Sequence, residues 1–342
     1  MDDRAAHSPD LLPPLPKNAP GIGEIEQAAE RIRGEAVITP LLEVPAVNDL
    51  LGGRLLIKAE MLQRTGSFKF RGAYNTIAGL APDVRARGVV TYSSGNHAQG
   101  VALAARLHGI PASIVMPADA PKTKLEGTRA LGADVVTYDR VRDDREAIGR
   151  AIAERDGAAL IRPYDDPLII AGQGTTGLEL ARQATQVGAS LEAALVCCGG
   201  GGLVAGCAIA LTHLVPGIAV HPVEPEGHDD TARSLAAGER CANPAGGSPF
   251  CDALLAPMPG ELTFAVNARL LAPGLVVTDA EVRTAMRLAF RHLHVVVEPG
   301  GAVALAAALA GKLAVRGRTI GIVLSGGNVD ALPFAEVLAG SS

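Results

Sequence analysis

The stretch Thr65-Gly66-Ser67-Phe68-Lys69-Phe70-Arg71-Gly72-Ala73 places an amine where helices rarely carry one. Gly66 permits a sharp turn, and Ser67 suits the N-cap of a following helix. Lys69 then falls in that helix's first turn, at the positive end of the helix dipole. An ammonium is disfavoured there, so the amine's pKa is expected to fall. A partly neutral amine is what imine chemistry with an aldehyde requires. Taken alone, the same lysine also reads as a surface residue beside a cap.

Three further loops carry unusual residues. Ser93-Ser94-Gly95-Asn96-His97-Ala98-Gln99-Gly100 brings two hydroxyls, an amide and free backbone N–H groups to the start of a helix, which suits a carboxylate; a polar cap is the plainer reading. Gly199-Gly200-Gly201-Gly202-Leu203 follows an apolar run and opens a helix, so its backbone can approach a bound phosphate closely. This run is not G-x-x-x-x-G-K-[ST]. It passes as a loose dinucleotide fingerprint, with Glu224 roughly where a ribose-binding acid would stand, so an NAD-dependent oxidoreductase remains a rival. Ser325-Gly326-Gly327-Asn328 follows the last apolar run; Ser325 can hydrogen-bond a ligand ring, or the segment is only a turn.

The elements that must position these loops alternate. Strands are predicted at 54–60, 88–93, 112–116, 134–138, 159–161, 193–198, 219–223 and 319–324, and helices at 68–80, 96–108, 122–131, 143–156, 175–187, 203–214, 279–293 and 302–314. Such β-then-α order implies parallel sheets covered by helices, and runs as apolar as Ala193–Cys198 suit buried parallel strands. In open α/β sheets, ligands bind beyond the carboxyl ends of strands, where all four loops fall.

Composition narrows the partners. The 342 residues are 48% apolar, with 40 glycines and 23 prolines spread along the chain, enough for a sizeable core with many tight turns. Aromatics are only 3%, tryptophan is absent, the net charge is −5 and no basic stripe appears, so nucleic acid and anionic membranes are not expected partners. The longest strongly apolar run, Ala302–Ala310, is too short to span a bilayer. Nothing near Met1 resembles a signal peptide, and residues 1–20 read as a flexible Pro-rich tail. Cys197, Cys198, Cys207, Cys241 and Cys251 lack C-x-x-C spacing, so buried thiols in a reducing cytoplasm are expected rather than disulfides or zinc.

Together the four loops resemble those of the fold-type II pyridoxal-phosphate (PLP) enzymes, specifically the serine/threonine dehydratase and serine racemase family. Glu298–Ala302, Ala171–Thr175 and Val223–Pro225 extend the resemblance, which runs from about Pro40 to Asp330. It implies an α/β fold of two open, mostly parallel twisted sheets covered by helices, like the tryptophan synthase β chain. A small domain (85–160) would be inserted in a large one (21–80 and 165–342). It also implies roles. Lys69 would carry the cofactor as an internal aldimine and later take the Cα proton. Phe68 would pack on the ring, Asn96 would bond O3′, and Glu298 would lie at the cofactor. The amides of Gly199, Gly200, Gly201, Gly202 and Leu203 would hold the phosphate, and Ser325 would face the pyridine nitrogen. Ser93, Ser94, Gly95, Asn96 and His97 would bind the substrate carboxylate. A serine at the ring nitrogen leaves it largely unprotonated, which suits elimination over transamination.

Glu224, His228 and Asp230 resemble the family's divalent-cation site, in which two carboxylates and the carbonyl at the His228 position bind Mg²⁺ or Ca²⁺; a solvated acidic turn is the alternative. The expected activity is deamination of L-threonine or L-serine to a 2-oxo acid and ammonia, by a homodimer or homotetramer. The chain stops soon after Ser325, so the regulatory domain of biosynthetic threonine dehydratases is not expected, and a catabolic role is. Ser94 keeps racemisation and 3-hydroxyaspartate in play, because racemases use a serine there as acid/base. Arg162-Pro163-Tyr164-Asp165-Asp166-Pro167 looks like the dehydratase version. Arg145 matches a racemase arginine only loosely, and Ala256 replaces a polar residue of the mammalian racemase. A non-catalytic PLP-binding relative is a further alternative.

Overall fold

Short runs of Val, Ile, Leu and Ala bounded by Gly, Pro or charged residues form the strands, and the longer alanine- and leucine-rich segments between them form the helices. The computed structural model describes residues 15–120 and 122–340. Most of the expected tail, residues 1–14, lies outside them; Ala19 already packs against the core around Ile25, and Pro20 is buried.

In chain order the elements are α1 (Ile22–Arg31), β1 (Leu41–Leu42), α2 (Pro45–Leu51), β2 (Arg54–Ala59), α3 (Lys69–Gly79), α4 (Pro82–Ala86), β3 (Val89–Tyr92), α5 (Asn96–Leu107) and β4 (Ala112–Pro117). There follow α6 (Lys122–Ala130), β5 (Asp134–Tyr138), α7 (Arg145–Asp156), β6 (Ala159–Leu160), α8 (Pro167–Gln186), β7 (Ala193–Cys197) and α9 (Gly202–Leu214). The last are β8 (Ala219–Pro225), α10 (Asp230–Ala237), α11 (Glu261–Leu270), β9 (Leu275–Val277), α12 (Asp279–Leu288), α13 (Pro299–Leu309), β10 (Thr319–Leu324) and α14 (Ala331–Ala339).

The strands form two open sheets. One has the order β1-β2-β10-β7-β8-β9 and is parallel except for β1; the other, β5-β4-β3-β6, is wholly parallel. All strands of the second fall between β2 and β7 of the first in sequence. Every residue of β7 is buried, as a central strand with helices on both faces requires. Parallel register fixes where the loops go. With Ile320 opposite both Leu55 and Ala193, the carboxyl ends of β2, β10 and β7 share one edge, which carries the segment to Lys69, Ser325 and the glycine loop. The carboxyl ends of β3 and β6 likewise carry Ser93–His97 and Pro163–Tyr164.

Two packing devices set α3 and α8. Glycines form a seam: a Cβ on Gly172 would meet the Cα of Gly72 at 2.6 Å, and one on Gly206 would collide with the Ile170 carbonyl and the backbone of Gly174. Beside the seam lies a buried ionic cluster that the sequence does not announce. Arg71 bonds Glu60 through Nε and Nη2 (both 2.8 Å) and Glu179 through Nη1 (2.7 Å). Lys58 Nζ reaches Glu179 (2.6 Å), Gln183 (2.9 Å) and the Thr39 carbonyl (2.7 Å). Burial alone would raise the Glu60 carboxyl, but the charge and hydrogen bonds of Arg71 hold it below its ordinary value.

Helix α8 begins at Pro167, eight residues before the predicted start. Asp166 accepts from Leu168 N (2.8 Å) and Ile169 N (3.1 Å) and Pro167 takes the first position, which starts the helix early although Gly172 and Gly174 lower the local helix propensity.

Candidate functional site

Lys69 is the first residue of α3, but the turn before it is not the expected cap. Phe68 occupies the N-cap position with helical φ and ψ, and no side chain caps the helix. Ser67 instead pairs with Gly326 in an isolated antiparallel bridge, and its Oγ is buried without a partner. The bond from Phe68 N to the Ser325 carbonyl (3.1 Å) fastens this turn to the end of β10. Lys69 Nζ donates to the Pro163 carbonyl at 2.7 Å, and its pKa is lowered to about 8. The cause is burial, not the helix dipole invoked from the sequence.

The next residue after Pro163 joins that amine to the glycine loop. The Tyr164 ring lies against Gly200, where a Cβ would collide with it, and the Tyr164 carbonyl would be 2.9 Å from a Cβ on Gly202. Gly201 has φ +90°, a left-handed conformation that favours glycine. On the far side, Thr263 Oγ1 donates to the Gly200 carbonyl (2.8 Å) and Asn267 Nδ2 to the Gly201 carbonyl (3.4 Å). In a trans peptide the following N–H points opposite to the carbonyl, so these bonds turn the Gly201 and Gly202 amides away from α11. No side chain caps α9, which leaves its first amides suited to an anion.

Thr263 and Asn267 were missed from the sequence. Their i, i+4 spacing after Gly260 was the available signal. Asp165 caps α11 by accepting from Glu261 N (3.1 Å) and Thr263 N (3.0 Å), so Asp165 and Asp166 cap two different helices.

In the loop after β3, Ser93 Oγ accepts from Gly95 N (3.3 Å), and Ser93, Ser94, Gly95 and Asn96 are all partly exposed. The His97 ring is buried, with Nε2 3.3 Å from the Ile161 carbonyl. Burial and then the charge of Lys69 push its pKa down to about 3, so the ring is neutral. Its imidazole is thus turned into the protein, and its amide is the group left for a ligand. Asn96 Nδ2 donates to Glu298 Oε1 (2.6 Å), and burial raises the Glu298 carboxyl to about 8. Phe68 is partly buried against the core that includes Leu56, Cys198 and Leu203. Ser325 is buried directly after β10.

Glu224 ends in a different role from a nucleotide acid. Its carboxylate is buried and accepts from Thr231 N (3.0 Å) and Ala232 N (2.7 Å) at the start of α10, so it is not available to a ribose, and the dinucleotide rival loses its acid. Asp230 Oδ1 accepts from Asn243 Nδ2 (2.6 Å), while Asp230 Oδ2 is buried without a partner. Burial, with Asp230 beside it, lifts Glu224 to about 8; burial lifts Asp230 to about 6. Two carboxylates raised in this way, one with an orphan oxygen, are a donor set that suits a hard cation. No three His, Cys, Asp or Glu side chains come together as a metal group among the described residues, and the His228 ring nitrogen Nε2 is buried without a partner. The five cysteines are free; Cys197 and Cys198 face opposite sides of β7, toward the Val323 carbonyl (3.4 Å) and Thr231 Oγ1 (3.3 Å), and only Cys241 is partly exposed.

A partly buried amine of lowered pKa, joined through Pro163 and Tyr164 to a loop of outward amides, fits an aldehyde that also carries a phosphate. Residues 32–326 match the family described as pyridoxal-phosphate dependent enzyme. The chain belongs to that family.

This PLP-dependent enzyme is 41% identical over 323 residues to the L-threo-3-hydroxyaspartate ammonia-lyase of Saccharomyces cerevisiae, covering 94% of this chain and 97% of that one. It is 40% identical over 322 residues to the serine racemase of Schizosaccharomyces pombe, with 94% and 98% covered. The crystal structure of the T.th. threonine deaminase matches with a TM-score of 0.86 at 44% identity, covering 91% of this chain and 99% of that one. The expected fold, two open and mostly parallel sheets of PLP fold type II, is therefore the observed one. In this PLP enzyme no helix of the described residues is long and apolar enough to cross a membrane.

Proposed function

We propose that this enzyme is an ammonia-lyase that removes the β-hydroxyl and the amino group of L-threonine or L-serine by α,β-elimination, giving a 2-oxo acid and ammonia. PLP supplies the electron sink for the carbanion at Cα. Lys69 would hold the cofactor covalently and, as the neutral amine its burial favours, would be the base for the Cα proton. Phe68 would pack on the ring, and the amides of Gly199–Leu203 would bind the phosphate. Asn96, held by Glu298, would donate to the phenolic oxygen, and Ser325 would face the ring nitrogen. The backbone amides of the Ser93–His97 loop would orient the substrate carboxylate.

The observation that carries this reading is the 2.7 Å bond from Lys69 Nζ to the Pro163 carbonyl, one residue before the ring that lies on Gly200. It sets the one basic group of imine chemistry beside the one loop built for a phosphate.

A second reading concerns the outcome rather than the site. Ser94 sits in the partly exposed loop after β3, and two of the relatives named above are a racemase and a 3-hydroxyaspartate lyase. Ser94 then serves as an acid/base opposite Lys69. A panel of L- and D-serine, L-threonine and L-threo-3-hydroxyaspartate, assayed for 2-oxo acid and for enantiomer exchange, separates the readings. Lyase action on L-threonine or L-serine, with Ser94→Ala sparing it, supports the first. Loss of both activities in Ser94→Ala contradicts the role given to Ser94, and no 2-oxo acid from any member of the panel contradicts elimination. We further propose a structural or activating Mg²⁺ or Ca²⁺ at Glu224, Asp230 and the His228 carbonyl; either ion should raise the melting temperature, and Asp230→Asn should remove that rise. The first reading also makes the enzyme a homodimer or homotetramer, which light scattering checks.

A further inference from the structure

The side-chain amide of Asn96 has two orientations, one offering N–H groups to the cleft and the other a carbonyl oxygen; their heavy atoms nearly superpose, so only hydrogen-bond partners tell them apart. The partners here form a chain that begins at a group with no ambiguity. The Thr65 carbonyl can only accept, so the atom of Asn328 that lies 2.7 Å from it is Nδ2. The same Nδ2 lies 2.7 Å from Asn96, so the Asn96 atom facing it is the acceptor Oδ1. The Asn96 nitrogen must then be the atom facing Glu298 Oε1 at 2.6 Å, which leaves it one further N–H.

The backbone is shaped around this chain. Thr65 holds φ +59°, a conformation non-glycine residues seldom adopt, and Gly66 beside it holds φ +72°. A Cβ on Gly66 would collide with Asn328 Oδ1, and one on Gly326 would collide with Glu298 Oε1 and lie 3.2 Å from Asn96 Nδ2. Two glycines thus make room for the two ends of the relay. Asn96 follows β3 of the smaller sheet, whereas Thr65, Glu298 and Asn328 belong to segments of the larger one.

We infer that Asn328 and Glu298 are positioning residues that lock the Asn96 amide with its N–H toward the cofactor's phenolic oxygen. This rests on the reading of Asn96 as donor to that oxygen. A donor there stabilises the ionised phenolic oxygen, and with it the long-wavelength absorbing form of bound PLP. A flipped Asn96 would present an oxygen to an oxygen. Asn328→Asp keeps the shape but has no N–H for Thr65 or Asn96, so it releases or reverses the lock. Glu298→Ala removes the other end, whereas Glu298→Gln still offers an oxygen to Asn96 Nδ2.

The test is the absorbance spectrum of the PLP-loaded protein, with cofactor content measured after alkaline release and folding followed by circular dichroism. Asn328→Asp and Glu298→Ala should hold a full complement of PLP, with the ratio of long- to short-wavelength absorbance lowered roughly tenfold, the loss of one hydrogen bond to a charged oxygen. Glu298→Gln should restore the ratio of the unsubstituted protein. An unchanged ratio in Asn328→Asp and Glu298→Ala overturns the inference. So does a variant that folds without cofactor, because reversing one amide does not dismantle the phosphate loop, and so does a variant that does not fold, which would make these residues scaffold. If the unsubstituted protein takes up PLP on a lysine other than Lys69, the reading underneath fails first, and this failure is visible before any variant is made.

Discussion

At the scale of single residues, the chemistry depends on how burial treats a charge. Lys69 faces a neutral carbonyl, so burial acts on its ammonium unopposed and brings it to about 8. Lys58, more deeply set, has Glu179 at 2.6 Å, and burial lowers it against the pull of that carboxylate. The sign for Lys69 follows directly. The reactive form is the neutral amine, so the rate at which apoprotein captures PLP should rise about tenfold per pH unit below 8 and level off above it. Stopped-flow absorbance measures this; a rate still climbing toward the ordinary lysine value of 10.5 would mean that the amine is solvated. Gly200→Ala should weaken PLP binding because its methyl would displace the Tyr164 ring, and a titration of cofactor fluorescence would show it. Unaltered affinity would show that the loop can yield at no cost.

At the scale of elements, the site depends on α3 and α8 being held at a fixed distance. Their contact is made by glycines and by the Arg71–Glu60–Glu179–Lys58 cluster, in which Arg71, Glu60 and Lys58 are fully buried. Removing Arg71 leaves the buried Glu60 without its charged partner while Glu179 keeps Lys58, so Arg71→Met should lower unfolding stability by about 3–5 kcal/mol in urea titrations. A change below about 1 kcal/mol would mean that water reaches the cluster.

These elements also show what was readable beforehand. Strands β7 and β10 were legible because both faces are apolar, and the four loops were legible because glycine runs and hydroxyl clusters interrupt a regular βα pattern. Helix α11 was not. The i, i+4 spacing of Thr263 and Asn267 puts them on one helix face, but their role comes from carbonyls some sixty residues earlier in the chain, which that spacing does not reveal. Lys58, inside Arg54–Ala59, looks like an outward-facing polar residue until Glu179 of α8 is placed beside it. Ser67 had the type of a helix cap, but pairing with Gly326 at the end of β10 overrode that local preference.

At the scale of the whole molecule, loops from the carboxyl ends of both sheets meet: Lys69 Nζ reaches the Pro163 carbonyl, and Asn96 reaches Glu298 and Asn328. A ligand held at once by Lys69, by the loop after β7 and by the loop after β3 would brace both sheets. Saturating PLP should therefore stabilise the fold, by about 2.7 kcal/mol at a hundredfold excess over Kd, read as a rise in melting temperature. Pyridoxal without its phosphate should stabilise much less, since it cannot use the amides of Gly199–Leu203; equal stabilisation would remove the phosphate from the account.

The most direct test is chemical. The PLP-loaded protein is reduced with borohydride, digested and mapped by mass spectrometry. The account predicts one modified peptide, with the pyridoxyl group on Lys69, and no modification in Lys69→Ala, which should also lose all lyase activity. A label on Lys58 or any other lysine, or a protein that takes up no cofactor, would contradict it.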